Sequence, residues 1–172
     1  WDISSAIYVQ DINMNFFEGG HVVRGHEIHF RQDGRKLYID DREYPDIIYE
    51  SGQYGKVHEY ILDTPWDIST LRYNVSFELH NEIPGGVSSV RGNHIHPQGT
   101  LMWVIDTETR QMIEYQMTVP WDLSSSVYDG RFAFGPDIVN PRSLYWRRDG
   151  MVFYVVDTTR LEIFGFWASP AN

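Results

Sequence analysis

The chain has 172 residues and a formal net charge of −10 at pH 7, because 24 acidic residues outnumber 14 basic ones. Lysine occurs only at Lys36 and Lys56, and no basic run exceeds two residues, so nucleic acid and anionic membrane surfaces are poor candidates for partners. Cysteine is absent, which excludes disulfide scaffolds, thiol catalysis and cysteine-based zinc sites. The longest apolar run has about six residues, whereas insertion across a bilayer needs about 20.

A threefold internal repeat organises the sequence. Trp-Asp-Ile-Ser at residues 1–4 returns at residues 66–69 and, as Trp-Asp-Leu-Ser, at residues 121–124. Each tryptophan is followed by a tyrosine seven residues later, then by a turn that ends in glycine and by a hydrophobic segment that ends in aspartate. The tyrosines are Tyr8, Tyr73 and Tyr128, and the turn glycines are Gly34, Gly99 and Gly150. We therefore predict one domain with repeats 1–65, 66–120 and 121–172.

Four short strands are predicted in each repeat, taken in chain order. The tyrosine-led strands have a period-two pattern and cover residues 8–16, 71–79 and 128–134. The next strands precede the glycine turns, at about residues 25–31, 92–96 and 143–147. Second strands end at Asp40, Asp106 and Asp157, and third strands contain Tyr60, Tyr115 and Phe166. Repeat one carries an insertion of about eleven residues within residues 42–55.

Four strands in a turn-rich unit of about 52 residues indicate an all-β fold, a β-propeller with three four-stranded blade repeats. A β-sandwich of unrelated strands is the alternative. A sandwich has no reason to repeat Trp-Asp-Ile-Ser in register, so we favour the propeller.

The repeat motif resembles that of a known family over essentially the whole chain. Thr-Pro-Trp-Asp-Ile-Ser-Thr at residues 64–70, followed by tyrosine, an arginine-containing strand and an Asp-Gly turn, is similar to the Pro-Trp-Asp-Ile-Ser-Thr propeller repeat of phage virion proteins and marine bacterial extracellular proteins. The YVTN and quinoprotein-like propellers are more distantly similar. Repeat one departs through its insertion, and repeat two through Pro97-Gln98-Gly99 in place of Asp-Gly. The likeness to YVTN propellers implies that this turn joins the innermost strand to the second, which makes the tyrosine-led strands outermost.

This strand order predicts an incomplete ring. The outermost strand over residues 8–16 precedes the first blade, and the last blade, residues 143–168, has only three strands. Three blades do not close a propeller, because known rings have about four to eight. We expect about six blades, formed with a second copy through head-to-tail exchange of the N-terminal strands or with further chain. A sequence that begins at Trp1 rather than methionine is a processed chain or part of a longer one.

Seven histidines raise the question of a metal site. His94 and His96 lie on the same side of one predicted strand, and His26 and His29 lie at the matching place in repeat one. In the other two repeats, His29 and Tyr145 occupy the position of His94, and Arg31 and Arg147 occupy that of His96. These positions therefore accept any large side chain with a polar end. We therefore favour packing between blades, and predict no metal and no other cofactor.

Three arginines form the one candidate ligand site. Arg24, Arg91 and Arg142 each lie at the start of a predicted innermost strand, where a propeller channel opens. Three guanidinium groups around one opening could bind an anion through bidentate contacts; pairing of each arginine with a carboxylate of its own blade is the alternative. The recurring tryptophans and aspartates are expected to be structural, because each occurs once per blade.

No catalytic motif is present, so we predict a protein that is not an enzyme. The resemblance implies a structural or attachment module, a component of a phage particle in the first instance, located in a virion or outside the cell. Its partners would be itself, as a homo-oligomer, or other virion and surface proteins. The alternative is a secreted carbohydrate-binding or surface-binding propeller. A quinoprotein-like or lactonase-like enzyme is a third candidate, supported by the distant resemblance alone.

Overall fold

The computed structural model describes residues 3–14, 24–42, 55–79, 83, 87 and 89–168. In this part of the chain, regular structure consists of eleven β-strands and three short 3₁₀ turns. No helix among the described residues has the length and apolar character that crossing a bilayer requires. The all-β prediction is confirmed.

The strands form three antiparallel sheets in which every strand pairs with its neighbour in the chain. Blade one contains β1 (Gly25–Phe30), β2 (Lys36–Asp41), β3 (Lys56–Leu62) and β4 (Leu71–Glu78). Blade two contains β5 (Val90–Ile95), β6 (Leu101–Asp106), β7 (Gln111–Met117) and β8 (Ser126–Ala133). Blade three contains β9 (Pro141–Trp146), β10 (Val152–Asp157) and β11 (Glu162–Trp167). The predicted propeller blades and the three-stranded last blade are confirmed.

The turn between the first two strands of each blade depends on glycine. Gly34, Gly99 and Gly150 have φ of 69°, 71° and 70°, in the left-handed region where glycine has no steric penalty. The N–H of each glycine donates to the carbonyl three residues earlier, at 2.8, 2.7 and 2.8 Å. The same turn therefore forms in all three blades, although blade two has Gln98 where the others have aspartate.

The Pro-Trp-Asp motif forms the corner before the outermost strand. Trp66 and Trp121 have φ of 65° and 64°, which is uncommon for any residue other than glycine. Their N–H groups donate to the carbonyls of Gly34 and Gly99, at 2.9 and 2.8 Å. The aspartate that follows each tryptophan caps the 3₁₀ turn, as Asp67 does by accepting from the backbone N–H of Ser69 at 3.0 Å. The motif is thus a structural corner; its first copy, at Trp1 and Asp2, lies outside the described residues.

An aspartate at the end of each second strand holds the entry to the innermost strand. The equivalent residues are Asp41, Asp106 and Asp157, which accept from the N–H groups of Arg24, Ser89 and Asn140 at 2.6, 3.2 and 2.9 Å. Our assignment of Asp40 to this set was wrong by one residue. The spacing from the turn glycine distinguishes the two adjacent aspartates: Asp41, like Asp106 and Asp157, lies seven residues after its glycine. The pairing of Gly25 with Asp41 agrees with this.

The predicted strand over residues 8–16 does not form. Residues 6–13 have no strand structure, while residues 15 and 16 lie outside the described part of the chain. A β-strand needs a partner for its backbone groups, and none of the eleven described strands is paired with residues 6–13. Most of the predicted insertion, residues 43–54, also lies outside the described residues.

Within the described part of the chain, the hydrophobic core consists of three clusters, two between neighbouring blades and one on the outer face of blade one. The largest cluster lies between blades one and two and includes Tyr38, Val57, Tyr115 and Leu123. A second cluster joins blade two to blade three through residues such as Trp103 and Phe153. A third covers the outer face of blade one, where Ile12 and Met14 of the N-terminal segment pack. Each blade is therefore stabilised mainly by its neighbour, as in other repeat proteins.

Candidate functional site

The three innermost strands converge at their C-terminal ends and form the mouth of a cavity of about 350 Å³. β1, β5 and β9 each contribute side chains to it, as do the turns that follow them. The residues that carry the chemistry of this mouth are His29, Gln32, His94, Trp103, Trp121, Tyr145, Trp146, Arg147 and Arg148. The volume is within the range of small-molecule sites in proteins, about 300–1,000 Å³.

The alternation of strand side chains produces layers at this mouth. Ladder pairing makes His29, His94 and Tyr145 equivalent, because they lie opposite Tyr38, Trp103 and Tyr154 on the second strands. Residues two positions earlier lie on the same face of each strand, and they form a deeper layer of Glu27, Gly92 and Ser143. The alignment on which the histidine interpretation depended is therefore confirmed.

Aromatic and imidazole rings make up most of the wall. His29 lies between His94, at 5.3 Å between ring centroids, and the indole of Trp121, which is stacked on it at 6.3 Å. Trp103 and Trp146 stack at 4.4 Å across the junction of blades two and three. Trp103 is covered by Trp146, whereas Tyr145 at the same mouth is 61% exposed, so the Tyr145 ring can pack against a flat or ring-shaped ligand.

Apart from Arg148, the polar groups of the wall carry little net charge. Burial lowers the pKa of His94 to about 4, with the neighbouring His29 and His96 adding to the effect, and burial also lowers the pKa of His29. Both imidazoles are neutral at physiological pH, so each can donate one hydrogen bond and accept another. Arg147 forms an ion pair with Asp149 at 2.6 Å, which balances its charge at the rim.

A carboxyl group in the deeper layer joins all three blades. Glu27 of blade one accepts from the backbone N–H of Asn93 in blade two and is hydrogen-bonded to the Ser143 side chain of blade three. A Cβ at Gly92 would lie 2.9 Å from the Glu27 carboxylate, so glycine makes room for this contact. Burial, together with the nearby Asp40, raises the pKa of Glu27 to about 7.

The histidines do not assemble into a metal-binding group. Within the described ranges, no cluster of three or more histidine, cysteine, aspartate or glutamate side chains has the geometry to hold a metal ion. His94 instead packs among rings, at 6.2 Å from Trp103 and 6.4 Å from Tyr145.

The structure places the three candidate arginines at the other end of the innermost strands. Arg24 precedes β1, while Arg91 and Arg142 are the second residues of β5 and β9. His26, rather than Arg24, is equivalent to Arg91 and Arg142, since each lies eight residues before its turn glycine and at a break in the ladder. His26 is close enough to Arg142 for that charge to contribute to lowering its pKa, although burial is the larger cause. The Nε atom of Arg91 is buried without a hydrogen-bond partner among the described residues. Anion binding at this end remains a prediction.

Sequence reasoning did not identify the ring-lined mouth. Trp103 and Trp146 are hydrophobic members of strands, and nothing in their spacing distinguishes them from core residues. Trp121 was assigned to a blade corner, which it forms, but its indole also reaches His29 of the preceding blade. The available signal was the repeat alignment of His29, His94 and Tyr145, three polar rings at one position.

No protein-family model matches the chain, and no curated protein matches its sequence. Solved structures are similar in fold. A candidate 6-phosphogluconolactonase of Bacteroides fragilis matches 84% of this chain with a TM-score of 0.57 and 14% identity, and hydrazine synthase of Kuenenia stuttgartiensis matches 85% with a TM-score of 0.57 and 12% identity. The Cps50 (Swd1) β-propeller domain of Myceliophteria thermophila matches 83% with a TM-score of 0.54 and 9% identity.

This chain spans only part of each of these structures: 35%, 46% and 39% of their lengths in the same order. At 9–14% identity, the likeness concerns the fold and not the activity of the proteins compared. Together with the three sheets and their strand order, it establishes that this chain is a segment of a β-propeller.

Proposed function

We propose that this chain is a non-enzymatic attachment module, a β-propeller segment that binds carbohydrate at the mouth formed by its innermost strands. The observation that carries the proposal is the cavity of about 350 Å³, walled by indole, phenol and imidazole rings. Aromatic faces pack against the apolar faces of sugar rings, while neutral imidazoles donate to and accept from hydroxyl groups.

Charge favours a neutral ligand over an anion or a cation. The two histidines at the centre of the wall are uncharged at physiological pH because burial lowers their pKa values. Arg147 is paired with Asp149 at 2.6 Å. Arg148 offers an anion one charged contact. A multiply charged ligand would nevertheless lose the hydration of its remaining charges on entry, whereas a neutral oligosaccharide keeps its hydrogen bonds.

The setting of the module follows from the resemblance of its repeat. Repeats of this type in phage virion proteins and marine extracellular proteins favour a role in a phage particle or at an extracellular surface. A surface glycan is a ligand that an attachment module meets in either setting. The proposal assigns no chemical reaction to the mouth.

Isothermal titration calorimetry and ligand-observed NMR test the proposal with four probes: cellohexaose, mannohexaose, chitohexaose and, as an anionic comparison, hexagalacturonate. We expect micromolar to millimolar binding of at least one neutral hexasaccharide and weaker binding of the anionic one. Binding of none of the four, or preference for the anionic one, would contradict the proposal.

Two tyrosines provide a matched pair for the same titration. Tyr145 lines the mouth, whereas Tyr154 lies opposite it on β10 and is not part of the wall. Tyr145→Ala should weaken binding about tenfold, the effect of one stacking contact, and Tyr154→Ala should change it less than twofold. Both side chains lie on the same face of blade three, so any effect on assembly is shared. Equal losses in the two variants would place the ligand elsewhere.

A further inference from the structure

The junction of blades one and two shows how one blade receives the corner of the next. Leu123, in the 3₁₀ turn of blade two, donates its N–H to the Glu59 carboxylate of blade one at 2.9 Å. Its side chain is fully buried in the cluster that contains Val57, with Phe77 packed against the same cluster. The corner of blade two is thus inserted into the face of blade one.

Blade two has a matching cavity for the corner of blade three. A cavity of about 280 Å³ is lined by Met112, Glu114, Gly130, Arg131 and Phe132. These residues occupy the ladder positions that Val57, Glu59, Val75, Ser76 and Phe77 hold in blade one. No corner from the described residues occupies this cavity.

The turn glycines give a second, independent sign of the same missing corner. A Cβ at Gly34 would lie 2.5 Å from the Trp66 indole, and one at Gly99 would lie 2.3 Å from the Trp121 indole. At Gly150, no atom of the described residues lies within 4 Å of that position. The turn of blade three therefore has the same backbone as the others and lacks the tryptophan that covers them.

The third sign is the open edge and face of blade three. β11 is the edge of a three-stranded sheet, whereas its counterparts β3 and β7 pair with β4 and β8. Ile163 and Trp167 on β11 are 71% and 77% exposed. An edge strand with exposed apolar side chains is a template for pairing with another strand.

The N-terminal segment has what blade three lacks. Residues 1–4 are a Trp-Asp-Ile-Ser motif, the turn Ile3–Ser5 is already a 3₁₀ turn, and Tyr8 stands seven residues after Trp1, as in the other repeats. Ile7 and Tyr8 are 82% and 77% exposed.

This segment also lies on blade one where a preceding blade would place its outermost strand. Ile12 packs against the cluster that contains Tyr60. Phe77, the equivalent residue of β4, packs against Tyr115 of blade two with ring centroids 5.2 Å apart. The segment is therefore positioned as an outermost strand whose sheet is absent.

We propose that residues 1–13 of a second copy of this chain complete blade three, and that the exchange is reciprocal. Ladder positions fix the register: Ala6 opposite Ala168, Tyr8 opposite Phe166 and Ile12 opposite Ile163. Trp1 covers Gly150, and Ile3 enters the cavity of blade two with its N–H on Glu114. Two copies give six blades about a twofold axis, within the four to eight of known rings, whereas three copies would give nine.

The inference goes beyond the proposed carbohydrate site and does not depend on it. The two meet at Gly150, which lines the mouth. Trp1 of the second copy would add an indole there, as Trp121 does beside His29.

Engineered disulfides test the register, and the absence of native cysteine makes the result unambiguous. In blade two, the pair equivalent to Ala6 and Ala168 adjoins the hydrogen bond from Thr118 N to Ser125 O, so it is a non-hydrogen-bonded pair. Such pairs have Cα atoms about 4.5 Å apart, a separation that a disulfide can bridge. Ala6→Cys/Ala168→Cys should form a covalent dimer on mild oxidation.

The matched control is Val9→Cys/Ala168→Cys, whose first cysteine is three strand residues, about 10 Å, out of register. It should remain non-covalent on a non-reducing gel. A disulfide within one chain, no disulfide in the in-register variant, or equal crosslinking of both variants would overturn the proposal.

A second experiment measures assembly itself by light scattering across a dilution series. The wild-type chain should have twice its 20.2 kDa mass. Tyr8→Asp should raise the dimer dissociation constant at least about 100-fold, because the equivalents of Tyr8, Tyr73 and Tyr128, pack on Tyr60 and Tyr115. Ile7→Asp should change it little, because its equivalent Val127 stays 47% exposed in a complete blade.

A folded wild-type chain of 20.2 kDa at every concentration, or the same loss in Tyr8→Asp and Ile7→Asp, would overturn the inference. Neither experiment measures carbohydrate binding. The two proposals can therefore fail separately.

Discussion

Blades two and three share a backbone and differ in what covers them. In both, a left-handed glycine joins the first two strands, and a terminal aspartate holds the entry to the innermost strand. Blade two lies between two neighbours, and Trp103 on its second strand is 5% exposed. The equivalent Tyr154 of blade three is 38% exposed. Contacts within each blade thus determine its strand pairing, whereas the neighbouring blade determines how far its side chains are buried.

This difference separates two sources of stability. Turn chemistry and strand pairing are local, and they should survive changes at a blade junction. Corner insertion and face-to-face packing are not local, and their free energy should be lost wherever a neighbour is missing. Equivalent substitutions in a covered blade and in the open part of the molecule therefore measure the junction itself.

The largest effect is expected at Glu59, which joins blade one to blade two. Its carboxylate is fully buried and accepts from Lys36 Nζ at 2.7 Å, Asn74 Nδ2 at 2.7 Å and Leu123 N at 2.9 Å. Glu59→Ala leaves the Leu123 N–H and the Asn74 amide without their acceptor and removes the counter-charge of Lys36, which keeps its hydrogen bond to the Trp121 carbonyl. The free energy of unfolding should fall by about 3–5 kcal/mol. Urea unfolding followed by tryptophan fluorescence measures the loss.

Glu114, the equivalent residue at the open junction, is the comparison for Glu59. It accepts from Trp103 Nε1 and has no blade corner inserted against it within the described chain. In the Tyr8→Asp background, chosen to prevent the proposed exchange with a second copy, Glu114→Ala should cost about 1 kcal/mol. Equal costs at the two glutamates would show that corner insertion contributes nothing to the junction.

The corner tryptophans give the next contrast. Trp121 stacks on His29, lies 6.2 Å from Tyr38 and is packed against the core between blades one and two. Trp66 forms the same corner but is 55% exposed, because no other blade of the described residues packs against it. Trp121→Ala should cost about 3–5 kcal/mol and Trp66→Ala about half as much, measured by urea unfolding. A larger loss for Trp66→Ala would contradict the junction argument.

Alanine substitutions at two turn glycines separate the energetic effect of the tryptophan contact from that of backbone strain. Gly99→Ala and Gly150→Ala both place a side chain at a φ near 70°, which costs about 1 kcal/mol. Only at Gly99 does the new methyl group also collide with an indole. In the Tyr8→Asp background, thermal unfolding should show a loss of about 3 kcal/mol for Gly99→Ala and about 1 kcal/mol for Gly150→Ala.

The stability loss of Gly150→Ala should depend on whether a second copy is bound. In the proposed exchange, Trp1 of a second copy would cover Gly150, so Gly150→Ala is expected to weaken association in the wild-type background. An effect of Gly150→Ala that is the same in both backgrounds would argue against that contact.

The sequence allowed the blades to be predicted because their determinants are local. Glycine turns, Pro-Trp-Asp corners and alternating strands lie within a few residues of each other, and threefold recurrence distinguishes them from chance. The innermost and second strands of all three blades were predicted within two residues, and the missing fourth strand of blade three followed from the strand count.

The errors have two causes: residue type was followed where spacing from the turn glycine decides the equivalent position, and some of the structure depends on contacts between blades that the local sequence does not encode. The break in the innermost ladder makes His26 the counterpart of Arg91 and Arg142, which residue type alone did not indicate. Likewise, residues 8–14 have a strand pattern but no strand, because strand formation depends on a sheet that this segment does not share with its own blades. The ring-lined mouth depends on three strands that meet only in the folded chain.

An effect that depends on pH is expected at the inner edge, where Glu27 joins blade three as closely as blade two. Glu27 contacts Asn93 and Ser143, so one carboxyl group spans both junctions. Its pKa is raised from 4.5 to about 7, first by burial and then by the charge of Asp40. The folded state therefore binds this proton more tightly than the unfolded chain, and its contribution to stability is lost as pH rises from about 4.5 to about 7.

The glutamine variant tests this pH dependence with little change of shape. A pKa difference of this size corresponds to about 3 kcal/mol, and because the carboxyl group is partly exposed we expect about half of that. Between pH 4.5 and 7.5, the wild-type chain should lose about 1.5 kcal/mol more of its unfolding free energy than Glu27→Gln does. Glu162→Gln, an exposed glutamate on β11, serves as the control and should follow the wild type. If the wild type and Glu27→Gln show the same dependence on pH, Glu27 is not a buried link between the blades, and the inner edge of blade three is as open as its outer edge.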